Sequence, residues 1–499
     1  MEANPQNLCS QFNELPDEII HSILDKLPLE DAVQTSFLSQ RWKNLWKYIT
    51  QLDIGPSWLE STGKEVVPSM NHFIRLHMGE KIKNFSVRFT YEPHMSEQVD
   101  SWIQFATNKK VENLYIDFHV NRGERDPSYV LNSCIFNCES LIILHLRCCI
   151  ITLPNSISLQ NLKEIYFHHL ELDNMTVYTL TSNTPVLLLL SLMECNRRTD
   201  LHIDIAPNSH FKSLMISDPF MIDTDTRIDI KVPRAKEFMF ESGLLPRESY
   251  NIEISLECER VILFLDSLFV WCSEVQSTES DDEADEEEQE EEEVRFNFPV
   301  HNQKTLLFEQ KLLDILGFCK GAESLKISNW CIQVLALRER RNTKRLQFNC
   351  KSLKLYTHFN KWELPGITYM LKACQRLEEL IMVSPECDDE IEPPDIYVTQ
   401  DDFKGDDYLK HMQSILQLPN LRTVIMKNKG RYHSSYYQVK GILSGPLLRF
   451  KLAKLMKHIS SNLDHVVISS KGDPYVFDPS AYWPNCNRFS CSCSQNLVK

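Results

Sequence analysis

The sequence predicts an α/β chain in which three short N-terminal helices precede an irregular solenoid of strand-and-return units. Two observations carry that prediction. One is a run of helix signals over residues 12–50 that closes on "SQRWKNLW", with two tryptophans four apart. The other is the pattern apolar-x-x-apolar-x-apolar, which begins at Ile82, Val111, Leu141, Leu162, Leu187, Phe211, Ala235, Ala322, Cys350, Leu377, Leu421 and Leu463. Most neighbouring starts are 21 to 30 residues apart.

The first helix is written in "LPDEIIHSILDKLP", residues 15–28, where Ile19, Ile23 and Leu27 form an i, i+4, i+8 line with Ile20 and Leu24 beside it. Pro16 starts it, Asp17 and Glu18 occupy the first turn where the helix dipole favours acids, and Lys26 precedes the stop at Pro28. "LEDAVQTSFL" predicts a second short helix carrying Ala32, Val33 and Phe37, and Ser39 is the expected N-cap of a third. In that third helix Trp42, Leu45, Trp46 and Ile49 fall at i, i+3, i+4 and i+7, so both tryptophans share one apolar face, with Arg41, Lys43 and Lys47 off it. A module of about forty residues cannot bury so much apolar surface within itself. Either the rest of the chain covers the excess or another protein does, since tryptophan is enriched at binding hot spots, and the pattern leaves both open.

Residues 12–50 resemble an F-box through Leu15, Pro16, Ile20, Ile23, Leu24, Leu27, Pro28, Ala32, Val33, Leu38, Ser39, Arg41, Trp42, Leu45 and Trp46. Gln40 stands where that family usually carries a base. The resemblance implies docking onto a Skp-type adaptor and, through it, onto a cullin ubiquitin ligase. The residues it implies for adaptor binding are Leu15, Pro16, Ile20, Leu24, Leu27, Pro28, Val33, Leu38, Trp42, Leu45 and Trp46.

The remaining chain is then expected to choose a target. Several repeats share an opening, as in "CESLIILHL", "LQNLKEIYF", "CKSLKL", "CQRLEELIM" and "LPNLRTVIM", and the spacing is that of leucine-rich repeats. Each unit supplies one short strand and a return segment, and no unit buries its apolar face alone. The gap from Ala235 to Ala322 has room for two degenerate units, including "YNIEISLEC", and "CDDEIEPPDIYVTQDDFKGDDY" reads as a second acidic insertion. An F-box followed by such units resembles the large plant F-box/LRR group, and 418–468 is similar to its C-terminal FBD segment. The expected organisation is an F-box at 12–50, a connection at 51–80, repeats at 81–270, an acidic loop at 271–296, further repeats at 297–470 and a cysteine-containing tail at 471–499.

Strand residues between and just after the inward leucines should face the concave surface, where they are candidates to hold the target or are simply solvated strand residues. They are Arg88, Tyr115, Asp117, His145, Arg147, Tyr166, His168, Lys326, Lys354, Tyr356 and Lys427. Asp117 is the only acid among them, which favours an acidic or phosphorylated segment.

Other classes are disfavoured. With 42% hydrophobic and 24% charged residues the chain has material for a core. Its net charge of −16 comes largely from "ESDDEADEEEQEEEE" at 279–293, whose twelve acids would leave −4 if removed, and such a block reads as a solvated loop. An acidic chain argues against nucleic-acid binding. The basic "RERRNTKR" at 338–345 reads as a solvated turn or a nuclear-import patch. No run of eighteen apolar residues and no signal-peptide layout occurs, so the expected compartment is nucleus or cytoplasm, with no membrane partner. The sixteen cysteines are irregularly spaced and read as thiols packed as small hydrophobes. Neither Cys134, Cys138, His145 and Cys148 nor Cys486, Cys491 and Cys493 has the paired spacing of a zinc site, so no metal and no cofactor is expected. Phosphate-binding loops, nucleophile elbows and metalloprotease motifs are absent, glycine is scarce at 13 residues, and His168 and His169 are expected to point to opposite faces of a strand. The expectation is a non-enzymatic substrate receptor, with a non-catalytic interaction scaffold as the alternative.

Overall fold

The computed structural model describes residues 12, 14–54, 66–119, 129–197, 200–205, 210–217, 228–232, 235–243, 250–254, 258–266, 303–341, 345–384, 405–428, 446–470 and 489–490. The acidic run, most of the second insertion, residues 429–445 of the FBD-like segment and the tail cysteines lie outside them. The chain divides into two compact units, 1–232 and 233–499.

The first unit opens with the helix Asp17–Leu24, which begins after Pro16 with two acids in its first turn. Leu29–Gln34 follows, continued by a 3-10 turn at Thr35–Phe37. The third element differs from expectation: Trp42–Tyr48 is a 3-10 helix entered from Arg41, and Ser39 does not cap it. The tighter winding still places Trp42, Trp46 and Ile49 inward. Two bonds from Thr50 to the Asp25 carboxylate, each 2.7 Å, tie the end of the first helix to the chain entering the sheet.

That sheet starts earlier than expected. Gln51–Ile54, within the presumed connection, already pairs in parallel with Asn84–Thr90. Parallel neighbours then follow in chain order: Asn113–His119, Ile143–Arg147, Glu164–His168, Leu189–Met193 and Ser213–Ser217. In the second unit the order is Glu237–Gly243, Arg260–Asp266, Ser324–Ile327, Ser352–Tyr356, Glu379–Ser384, Thr423–Asn428, His465–Ser470 and Phe489–Ser490, again all parallel.

All twelve pattern starts lie two residues ahead of a strand. The first apolar residue closes the turn into the strand, and the next two point to the same side because strand side chains alternate. Leu141, Leu144 and Leu146 are fully buried in this way. Two further units obey the same rule and were missed: Ile49, Leu52 and Ile54, absorbed into the helix reading, and Cys258, Val261 and Leu263 in the long gap. Tyr250–Ile254, the expected degenerate unit, is a strand outside the main sheet.

After Ile143–Arg147, Glu164–His168 and Leu189–Met193 the chain turns through a left-handed residue, respectively Cys148, His169 and Glu194. It then enters a small parallel ladder made of Tyr129–Val130, Cys149–Ile150, Glu171–Leu172 and Asn196–Arg197. Beneath the first strands the core is aromatic, with Phe89, Tyr91, Trp102, Phe118 and Tyr129 in edge or tilted contact.

The second unit has a thicker helical layer. Every residue from Trp330 to Leu337 is buried, so the helix Asn329–Arg340 is enclosed on all sides, and Leu364–Ala373 packs against it. Three arginines of the basic stretch at 338–345 are paired and partly buried, not free in solvent. Arg338 and Arg341 reach the buried Glu309 carboxylate at 3.0 and 2.7 Å, while Arg345 and Lys372 hold Glu339 at 3.1 and 2.6 Å. Glu309→Ala should leave two arginines facing apolar surface and lower stability by about 2 kcal/mol, less than a fully enclosed pair because the arginines reach solvent. Thermal melting of the variant beside Glu309→Gln checks this, with the amide expected to lose less.

None of the ten described cysteines forms a disulfide, and eight are buried. Five of the buried thiols face backbone carbonyls, as Cys258 faces Lys236 at 3.5 Å, and burial pushes Cys258 up to about 11 and Cys195 up to about 12. Such thiols are inert at neutral pH. Among the described residues no helix is long and apolar enough to cross a membrane, and no cluster suits a metal ion.

Candidate interaction sites

The N-terminal module separates its apolar residues into two sets. Ile20, Leu24, Trp42 and Trp46 are buried within the chain and form its packing core, which removes them from the surface a partner can touch. This corrects the expectation that all eleven residues meet an adaptor. The cover for the tryptophans comes from the chain itself: Phe12 stands edge-on to Trp42 at 6.5 Å, and Phe73 on the helix Val66–Leu76 lies 6.3 Å from Trp46. Leu15, Leu27, Val33 and Leu45 are half-buried, and Pro16, Pro28 and Leu38 are exposed.

Two members of the outward set were missed. Phe37 is 87% exposed, more than Leu38 at 51%, and Ile19 is 48% exposed. Ile19 and Ile23 are thus on the outer edge of the first helix and Ile20 and Leu24 on the inner one, while Leu27 lies in the turn after it. Four apolar residues on an eight-residue helix were the available signal, since one packed face needs fewer. An ion pair between Arg41 and Asp17 holds the third element to the first helix.

On the first unit's sheet, the strand alternation leaves Arg88, Tyr115, Asp117, His145, Arg147, Tyr166 and His168 on the open face. Register puts Tyr115, His145 and Tyr166 in one row, and Arg88, Asp117, Arg147 and His168 in the next. His145 is the hub, 5.8 Å from the rings of Tyr115 and Tyr166 and 5.7 Å from His168, on which it stacks. The face is more neutral than the sequence implied. Arg88 pairs with Asp53 at 3.0 Å, an acid on the strand that was read as connection, and Arg147 faces Asp117 at 3.7 Å. Tyr166 donates to Glu164 at 2.9 Å, and burial with that bond pushes its phenol up to about 12.

Lys326, Lys354, Tyr356 and Lys427 lie on the open face of the second unit. Lys326 and Lys354 are direct neighbours across two strands, and the Lys354 ammonium sits 4.9 Å from the centre of the Tyr356 ring. His168 and His169 are not two residues of one strand: the strand ends at His168, and His169 enters the left-handed turn and pairs with Glu194 at 2.9 Å. They remain apart in function, one stacked on the open face and one in a turn.

Burial lowers the pKa of three histidines in this unit, His77, His145 and His168. His77 bonds the Ile49 carbonyl at 3.0 Å and so joins the N-terminal module to the sheet. Each group binds a proton more readily unfolded than folded. Their stabilisation is complete above the ordinary value of 6.5 and is lost as the pH falls from there through the lowered folded values. The melting temperature should therefore fall between pH 7.5 and 5.5, and His77→Gln, which keeps a donor but does not titrate, should flatten that dependence.

Helical module and parallel repeat sheet define the class: an F-box domain followed by a leucine-rich-repeat array. The F-box domain family model matches residues 12–50, and the model described as At1g61320/AtMIF1, LRR domain, matches 73–275. Among curated proteins the chain is similar to the F-box/FBD/LRR-repeat protein At1g51370 of Arabidopsis thaliana, 30% identical over 178 residues that make up 36% of this chain and 39% of the relative. It is 26% identical to the FBD-associated F-box protein At4g10400 of the same plant over 47% of this chain and 54% of the relative. With the putative F-box protein At1g49610, also of Arabidopsis thaliana, identity is 22% over 74% and 83%. The chain thus spans from about two fifths to about half of the first two relatives. Proteins with this domain content generally serve as non-enzymatic substrate adaptors of SCF ubiquitin ligases.

Proposed function

We propose that this chain is the substrate-recognition subunit of an SCF-type ubiquitin ligase, docking on a Skp-type adaptor through its F-box and holding a target protein on its repeats. The observation that carries this reading is the outward apolar set on the N-terminal module, Pro16, Ile19, Phe37 and Leu38, left uncovered although the chain covers both tryptophans. A module this small gains nothing of its own by exposing a phenylalanine and two aliphatics, and a partner surface gives a reason. The bonds of Thr50 to Asp25 and of His77 to Ile49 fix that module to the sheet, so an adaptor held at one would orient the other. The chain supplies no catalytic group in this reading, which acts by proximity. Nucleus or cytoplasm is the proposed location.

Affinity capture from cells with the proteasome blocked tests it. Adaptor, cullin and at least one ubiquitin-modified protein should be retained together. Adaptor without any protein that accumulates on proteasome block would favour the scaffold reading, and absence of adaptor would overturn both.

A further inference from the structure

The chemistry of the target can be read from the charge on the second unit's open face. Register aligns Ile262, Lys326, Lys354, Ile381 and Ile425 in one continuous row across five parallel strands. All five are half-buried. Neighbouring strands stand ~4.8 Å apart, so the two lysines are like charges set side by side, an arrangement that is destabilising until an anion joins it. Among the described residues no carboxylate pairs with either lysine. The acids of the adjacent row are already engaged, Glu237 with Arg260 and Glu379 with the Ser352 hydroxyl at 2.6 Å. The first unit's face is built the opposite way, with Arg88 and Arg147 each answered by an aspartate.

We propose that this row binds an extended, acidic and aliphatic segment of a target protein, its carboxylates on Lys326 and Lys354 and its apolar side chains against Ile262, Ile381 and Ile425. The proposal rests on the substrate-receptor reading and narrows it to one face and one chemistry. Isoleucines flanking the lysines on both sides suit aliphatic side chains, whereas the row holds no aromatic side chain on which nucleic-acid bases could stack. Charge-assisted bonds to the lysine pair would fix register, and the flanking contacts would add affinity by excluding water.

The probe is a fluorescent peptide of interspersed glutamate, leucine and serine, titrated into the full chain and followed by polarisation, beside a peptide with lysine in place of glutamate. The acidic peptide should bind and the basic one should not. Lys326→Glu with Lys354→Glu should weaken binding by about tenfold, as should raising the salt severalfold, while Lys81→Glu, at an exposed position ahead of the strand Asn84–Thr90, should leave it unchanged. Lys326→Gln with Lys354→Gln should give an intermediate loss, which keeps the test valid if the double reversal misfolds. Equal binding of both peptides, or binding indifferent to the lysine substitutions, would overturn the proposal. So would binding that appears only once residues 279–293 are deleted, since the chain's own acidic run would then be the occupant. Adaptor capture measured on the same variants separates the claims: its failure in the unaltered chain counts against the receptor reading alone, and loss of peptide selectivity with adaptor capture intact counts against this face alone.

Discussion

Replacing Phe37 and Leu38 together with aspartate should abolish adaptor capture while the chain melts at its normal temperature. Both side chains point outward, so the fold loses nothing when they change. Each apolar side chain of this size contributes ~1.5–3 kcal/mol when covered, and a charge in its place adds a desolvation cost, so the loss should be a hundredfold or more. Leu15→Ala with Pro16→Ala should act in the same direction with a smaller effect, because Leu15 is already half-buried. Trp42→Ala is the informative contrast. It removes an anchor that is 2% exposed and should cost about 3–5 kcal/mol of stability, losing capture through unfolding of the module. Pull-down with purified adaptor, read beside a thermal melt, tells the two losses apart. Undiminished capture by the double aspartate variant would place the docking surface elsewhere.

Gly366→Ala should destabilise the second unit strongly, whereas a methyl added at Gly317 should not. Gly366 lies where the helix Leu364–Ala373 crosses Asn329–Arg340, and a Cβ built there runs into the Ile332 carbonyl oxygen. That atom is backbone inside an enclosed helix, so relief requires moving one helix against its whole surroundings. Overpacking of this kind costs about 3 kcal/mol, which for a unit of this size lowers the melting temperature by about 10 °C. Gly317→Ala is the matched control, since nothing lies within 4 Å of its Cβ position. There the change should raise stability by about 0.5–1 kcal/mol through helix propensity and a less mobile unfolded chain. Equal melting temperatures for the two variants would show that the crossing has room for a methyl group.

The repeat register was legible because it is a local property. Whether Leu144 and Leu146 face inward depends on alternation along five residues, and the apolar triplet that records it needs no knowledge of neighbours. For that reason all twelve pattern starts met a strand, and the two missed units, at Ile49 and Cys258, follow the same rule. The first was lost because Ile49 also completes a helical spacing with Trp42 and Trp46, so one residue served two periodicities. Order of domains and fold class followed from the same local signals.

What the tertiary structure alone decided concerns partners far apart in the chain. Ile20 and Leu24 face inward, and Ile19 outward, because of where Trp42 and Trp46 come to rest, and a helix apolar on both sides does not announce which side that will be. The tryptophans are covered by Phe12 and Phe73, residues outside their own helix and invisible to its periodicity. Arg338 and Arg341 look like a solvated basic run until Glu309, about thirty residues earlier, is brought beneath them. Arg88 looks free to bind an anion until a strand in the presumed connection sets Asp53 beside it. Side-chain direction is set within one turn or one pleat and is written locally, whereas the neutralising or covering of a side chain is set by lateral register between segments and exists only once they have packed.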